Sequence, residues 1–388
     1  MTMVKATTSP SPFPHDESAN FLDPTRIRIA REAAGLSKVE LARILDVTPR
    51  TIANWEEDGA PAFQISSLTS ALDVMPSFLG VLPDSPAIGD LSEQQVWFRS
   101  LRRSTVKQRR SAIGHGRFAL LFFQWIEDHF RLPACDLPYE DAISMMPEQA
   151  ATTLRADWGY GENPLPSMTS LAEAHGIRLF SLPPIGKVVD AFSFVFNGTP
   201  YVAVDLQKTA ERIRFDIAHE IGHLVMHTAA VSENTGANSP DSALEAGRDF
   251  EGEAHSFASN LLMPAQRVRG VVPNHATVPQ LLVAKKYFRV SAMAMTRRAH
   301  DLGRLSDWEY RSACSELTAK GYRTAEPGGM KPEQSQVFRY VVQSNRDRGI
   351  STRTVSEETG LKPGELHDLS FGNLLAVAGD GSLSPLQR

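Results

Sequence analysis

A chain of 388 residues is too long for one ordinary domain, and two or three are expected. Its 42% hydrophobic and 22% charged residues are the composition of a globular protein, and a net charge of -5 excludes wholesale coating of nucleic acid without excluding a local DNA-reading module. Two cysteines, Cys135 and Cys314, with no CxxC exclude a disulfide framework and a thiolate metal site, and they point to a reducing compartment.

Residues 1–20 are rich in Ser, Thr and Pro and have no apolar core segment, so a loose tail is expected and not a signal peptide. The longest apolar run, "FALLFFQWI", is too short to cross a bilayer, and a cytoplasmic location follows as the expectation. A compact unit is expected over residues 21–80. Asp23 and Pro24 open a first helix and Gly35 closes it. Ser37 with Glu40 makes a capping box for a second helix, Asp46 and Val47 turn the chain, and Thr48 with Pro49 opens a third. Leu41, Ala42, Leu45, Val47, Ile52 and Trp55 fall where two short helices pack across a tight turn, which predicts a helix-turn-helix with the third helix as reader.

The run "LSKVELARILDVTPRTIANWE" resembles the phage-repressor (xenobiotic-response-element, XRE) type of helix-turn-helix. The resemblance implies DNA binding through Lys38, Thr48, Arg50, Thr51 and Asn54, with Lys38 replacing the glutamine common at its position. Residues 1–80 hold seven Lys or Arg against ten Asp or Glu, and "EED" ends the reader helix. So acidic a module makes few phosphate contacts alone, and a homodimer is expected to supply the rest.

Residues 81–95 read as a linker and 96–145 as a helical connector. Seven basic residues lie between Arg99 and Arg117, on a helix expected either to track phosphates or to face solvent; "FALLFFQWIEDHF" has the apolar spacing of a core helix. A separate unit of helices and strands is expected over 146–270. "PEQAATTLRADWG" and "SMTSLAEAHG" predict helices, and "IRLFSL" predicts a strand. "DAFSFVFNGTPYVAVDL" predicts two strands around Asn197-Gly198, completing a small antiparallel sheet. A helix from about Thr209 to His227 follows.

That helix carries "HEIGH". His219 and His223, four residues apart, stand one turn apart on one face and can reach a single small cation, with Glu220 beside them to act on water: the H-E-x-x-H arrangement of zinc peptidases. A catalytic zinc takes three protein ligands and keeps one open position. In "RDFEGEAHSFASNLLMP" the buried face is Phe250, Ala254, Phe257, Ala258, Leu261 and Leu262; helical phase puts Glu251 at its edge and turns Glu253 towards solvent, which favours Glu251 as third ligand. His255, one turn on, is placed to orient a ligand from behind. His227 is open to two readings, an oxyanion contact or a structural residue behind the ligands. The strand "YVAVDL" is expected to offer its edge to an extended substrate.

The pair "RFDIAHEIGHLVMH" and "FEGEAHSFASNLLMP" resembles the ImmA/IrrE family of zinc peptidases, and the likeness extends through "LPACDLP", "LRADWGYGENP" and "VSAMAMTRRAHDLGRLS". The resemblance implies Zn2+ on His219, His223 and Glu251, Glu220 as catalytic base, and His255 where Asn or Asp is usual. It implies an α+β zincin-like metallopeptidase domain after an all-α helix-turn-helix domain, with a helical C-terminal cap over 271–388. In that last region "ISTRTVSEETGLKPGELHDLSFG" shows helix, turn, helix again without the Trp-Glu ending; a packing or docking module is expected there, and no repeat. The implied function is a zinc endopeptidase and DNA-linked regulator that cleaves a repressor protein. The alternative is a non-cleaving XRE-type regulator or antitoxin whose peptidase-like half senses a ligand or partner.

Overall fold

The computed structural model describes residues 21–80, 91, 96–98, 105–138, 145–183, 191–232, 249–322, 326 and 328–374. The expected N-terminal tail, most of the 81–95 linker, Arg99, Arg102, Arg103 and the polar loop 233–248 lie outside the described residues. Among them the chain is multidomain: a helix-turn-helix unit, then a helix-rich unit built on a small sheet, then a helical C-terminal region.

The N-terminal unit follows its caps. Helix α1 (Pro24–Ala33) starts on Asp23, whose side chain accepts from the Arg26 amide, and Gly35 follows it with φ 62°. Helix α2 (Lys38–Ile44) has the Ser37–Glu40 capping box, and α3 (Pro49–Asp58) is capped by Thr48. Strand β1 (Phe21–Leu22) pairs with β2 (Ala60–Pro61), and α4 (Ile65–Leu72) and α5 (Pro76–Leu79) complete the unit.

Strand β3 (Val96–Phe98) forms where the helical connector was expected to begin, at one edge of a four-stranded sheet. Helix α6 (Val106–His129) starts only at the Thr105–Gln108 capping box. It crosses α1 closely: a Cβ on Gly114 would lie 2.5 Å from the Ala33 nitrogen. Two of its basic residues are engaged within the protein. Lys107 pairs with Glu40 at 2.8 Å, while buried Arg117 pairs with Glu32 at 3.1 Å and donates to the Leu91 carbonyl.

Helices α7 (Pro147–Asp157) and α8 (Met168–Ala174) lead to β4 (Arg178–Leu182), β5 (Ala191–Phe196) and β6 (Thr199–Asp205). Asn197 and Gly198 take φ of 48° and 76°, as a tight hairpin requires, so β5 and β6 are antiparallel. The sheet order is β3-β5-β6-β4, with β4 parallel to β6. The sheet is therefore mixed, not antiparallel. Three successive strands alternate in direction, and here the first and third are neighbours. The same order makes β6 an interior strand with both hydrogen-bonding edges taken, so "YVAVDL" cannot receive a substrate backbone.

Both faces of the sheet are buried, and the pleat divides two cores. Phe180, Phe192, Phe194, Tyr201 and Ala203 face the core shared with α1–α6. Leu179, Val202 and Val204 face the other, formed with α7, α8, α9 (Ala210–Ser232), α10 (Phe250–Leu262), α11 (Ala265–Val271), α12 (Val278–Phe288), α13 (Ala292–Asp301) and α14 (Asp307–Ala319). The C-terminal region divides the same way. Helices α12–α14 stay on the second side, whereas α15 (Gln336–Arg348), α16 (Thr352–Thr359) and α17 (Pro363–Leu369) join the first core beside the helix-turn-helix.

Buried ion pairs tie these parts together. Fully buried Arg214 on α9 holds Glu333 at 2.7 Å and donates to the Leu165 carbonyl, while Glu333 accepts from the Thr169 amide at the start of α8. Arg214→Leu leaves the Glu333 carboxylate buried with its cation gone. The expected cost is about 3–5 kcal/mol, read as a fall in the thermal unfolding midpoint of the purified protein; an unchanged midpoint would show that this pair does not hold the segment.

Candidate metal centre and DNA-reading helix

The site is built where α9 passes between the sheet and α10. On α9, His219 and His223 are buried, one turn apart, with their Nε2 atoms 3.1 Å from one another. Helix α10 brings Glu251 up to both: Oε2 lies 3.4 Å from His219 Nε2 and Oε1 3.3 Å from His223 Nε2. These donor atoms lie within 4.8 Å of one another, a group that can hold a metal ion. A tetrahedral zinc site with bonds of about 2.0–2.2 Å has donor–donor edges of about 3.3–3.6 Å. The two imidazole nitrogens lie 3.1 Å apart, each faces its own Glu251 oxygen at 3.3–3.4 Å, and one carboxylate oxygen taken with both nitrogens lies within 4.8 Å of them; two imidazoles and a carboxylate this close are a donor set that suits the ion.

The local sequence explains the close approach. Gly222 between the histidines faces α10, and a Cβ there would meet Phe257 at 3.0 Å and the Ala254 backbone at 3.3 Å. Asp249 caps α10 by accepting from the Gly252 amide, and Glu251 in the first turn is favoured by the helix dipole. At the other end two buried arginines satisfy terminal carbonyls. Arg155 donates to the Leu261 carbonyl, and Arg298 donates to the Met263 carbonyl and to Asn260. These arginines belong to "LRADWGYGENP" and "VSAMAMTRRAHDLGRLS", so those motifs hold the glutamate helix in place. Burial opposes ionisation of Glu251, but hydrogen bonds from His219 and His223 outweigh it and bring the carboxyl down to about 2.

Glu253 does not simply turn to solvent. Its side chain is 28% exposed against 48% for Glu251, and it reaches His227 Nε2 at 3.0 Å. His227 Nδ1 in turn lies 3.0 Å from His223 Nδ1, on the side of that ring away from Glu251. A chain Glu253–His227–His223 thus fixes the orientation of one candidate ligand. His227 is fully buried between His223 and Glu253, the place of a residue behind the ligands. His255 is exposed, its ring 5.0 Å from that of Phe215.

Sequence reasoning missed Ser193. It lies on β5, fully buried on the face towards α9, and its hydroxyl donates to Glu220 Oε2 at 2.7 Å. Only the alternation of "AFSFVF", with a small polar residue between phenylalanines, signals that this position faces a polar group.

In the helix-turn-helix unit the cap Thr48, and Arg50 and Asn54 of α3, are exposed. Thr48 Oγ1 accepts from the Thr51 amide at 3.1 Å and lies 2.8 Å from Thr51 Oγ1. The acidic end of the reader helix is partly neutralised. Glu56 is only 3% exposed and is held by Arg31 and by Lys38, the latter at 3.1 Å. That pairing engages Lys38, named above as a groove contact.

Residues 27–68 match the family model for a helix-turn-helix, and residues 172–300 match the model of the IrrE N-terminal-like peptidase domain. The chain carries the two in that order, and the second match spans His219, His223 and Glu251. No curated protein matches the chain. No helix among the described residues is long and apolar enough to cross a membrane.

Proposed function

We propose that this chain is a zinc-dependent endopeptidase coupled to a DNA-reading unit, and that it cleaves a repressor-type protein to release the genes that repressor controls. The observation that carries the reading is the His219–His223–Glu251 cluster, whose donor atoms lie within 4.8 Å of one another in the segment that matches an IrrE N-terminal-like domain. His219, His223 and Glu251 would hold the ion, and three is the number of protein ligands a catalytic zinc takes. The chemistry supplied on zinc binding is Lewis acidity, which brings the pKa of water down to about 7 and polarises a scissile carbonyl. Glu220 accepts the proton of the attacking water and delivers it to the leaving amine. Ser193 donates to Oε2 of that carboxylate and orients it. Glu253, through His227, keeps the His223 ring aimed at the ligand position.

The DNA-reading half rests on Thr48, Arg50, Thr51 and Asn54, with Lys38 turned to Glu56, and on a homodimer that presents two reader helices to two half-sites. Arg50→Ala is expected to weaken operator binding by about 1–3 kcal/mol without changing metal content. A titration on a duplex selected by the wild-type chain, run beside metal analysis, checks both. The deciding experiment for the function is incubation of the zinc-loaded chain with a helix-turn-helix repressor encoded beside it. A defined cut seen with wild type and absent with Glu220→Gln supports peptidase action. An intact repressor whose operator is nonetheless released by both forms favours the non-cleaving regulator.

A further inference from the structure

The last three helices repeat the first three. Set "LSKVELARILDVTPRTIANW" (36–55) against "ISTRTVSEETGLKPGELHDL" (350–369) and the two align end to end without a gap. Ser37 and Ser351 cap the second helix of each set, and Pro49 and Pro363 open the third. Leu41, Ile52 and Trp55 fall opposite Val355, Leu366 and Leu369, all buried. Gly35 and Gly349 take φ of 62° and 71°, and the turn residues Asp46 and Gly360 take 54° and 75°.

The backbone hydrogen bonds correspond as well. Leu36 N donates to Arg31 O at 3.0 Å and Ile350 N to Asn345 O at 2.8 Å; Leu41 N donates to Ser37 O at 3.0 Å and Val355 N to Ser351 O at 3.2 Å. Caps, turns, core positions and backbone bonds therefore agree between the two sets. This correspondence corrects the expectation that the chain holds no repeat. With the Trp-Glu ending missing and only Ser and Pro identical at the cap positions, the likeness lies in geometry more than in letters.

The two copies use their third helices differently. The positions of Thr48, Arg50, Thr51 and Asn54 are taken by Lys362, Gly364, Glu365 and Asp368. Lys362 pairs with Asp73 of the first unit, and Glu365 Oε1 lies 2.7 Å from His115 Nδ1 on α6. The Asp368 carbonyl accepts from Ser181 Oγ on edge strand β4, and the Phe371 amide donates back to that oxygen at 2.9 Å. Two carboxylates at reader positions repel phosphate. The turn docks equally closely on α5: the Met75 amide donates to the Gly360 carbonyl at 3.0 Å, and a Cβ on Gly360 would lie 2.7 Å from Phe78 Cα.

We infer that residues 336–372 are a second helix-turn-helix unit whose reader helix binds protein in place of DNA, joining the DNA-reading unit to the edge of the sheet that also carries Ser193. Its partner is in cis, namely α5 and α6 on one side and β4 on the other. Each chain then offers one DNA-reading helix. The inference stands on the repeat and its contacts, and it does not depend on peptidase activity.

Hydrogen–deuterium exchange on the full-length protein tests it. Gly360→Ala puts a methyl into Phe78 as well as straining a positive φ; Gly349→Ala imposes the same strain at φ 71° with nothing within 4 Å of its Cβ. Gly360→Ala is expected to speed exchange about tenfold or more in α16, α17, α5 and β4. Gly349→Ala should leave α5 and β4 at wild-type rates. Wild-type protection of α5 and β4 in Gly360→Ala, with α16 opened, would overturn the joining role. Ser181→Ala, a mild change, should speed exchange of the 368–371 amides; no change there would equally count against docking on β4. In the same experiment, added duplex DNA that protected 362–368 would overturn the assignment of this helix to protein.

Discussion

Glu220→Gln is expected to slow peptide cleavage by about 10²–10⁴-fold, the usual share of general acid–base catalysis, while zinc content and fold stay as in wild type. Gln keeps the shape of the side chain and can still accept from Ser193, so the buried pair at 2.7 Å survives as a hydrogen bond. What is lost is the ability to take a proton from water. His219, His223 and Glu251 are untouched, and so is the DNA-reading helix, which lies across the sheet in the other core. Single-turnover cleavage by zinc-loaded wild type and variant reads the effect. A rate within a few-fold of wild type would remove Glu220 from the chemistry.

The second large effect separates two glutamates that sit two residues apart. Glu251→Ala removes one corner of the donor triangle and is expected to abolish stoichiometric zinc binding. Glu253→Ala leaves all three donors in place but takes the carboxylate from His227, which then no longer fixes the His223 ring. Loss of an outer partner of this kind costs about 10–100-fold in metal affinity. Competition with a chromophoric chelator resolves the two: no measurable affinity for Glu251→Ala, a weakened but intact one-to-one site for Glu253→Ala. Equal affinities in the two variants would contradict the assignment.

Features set by neighbouring residues were legible in the sequence. The caps at Asp23, Ser37 and Thr48, the Asn197-Gly198 hairpin and the one-turn spacing of His219 and His223 are all local, and each forms as its residues dictate. The face of α10 that carries Glu251 follows from helical phase. Phase does not say what stands opposite, so it turns Glu253 to solvent although His227 lies within its reach. The interior place of β6 depends on strand order, which alternation of residue types cannot give. Ser193 meets Glu220 only after β5 is laid against α9. The pairing of Lys107 with Glu40 and of Glu56 with Arg31 and Lys38 joins residues apart in the chain, so counting charges along it does not show which of them are neutralised.

The central claim is that this chain cuts protein at the His219–His223–Glu251 centre with Glu220 as base. Its most direct test leaves the identity of the substrate open: a proteome-wide comparison of new protein N-termini in cells expressing wild type or Glu220→Gln at equal level, with zinc content verified in both. Wild type alone is predicted to generate a small set of new termini, with a helix-turn-helix repressor among the proteins cut. Identical termini in the two strains, with both proteins folded and zinc-loaded, would contradict the account.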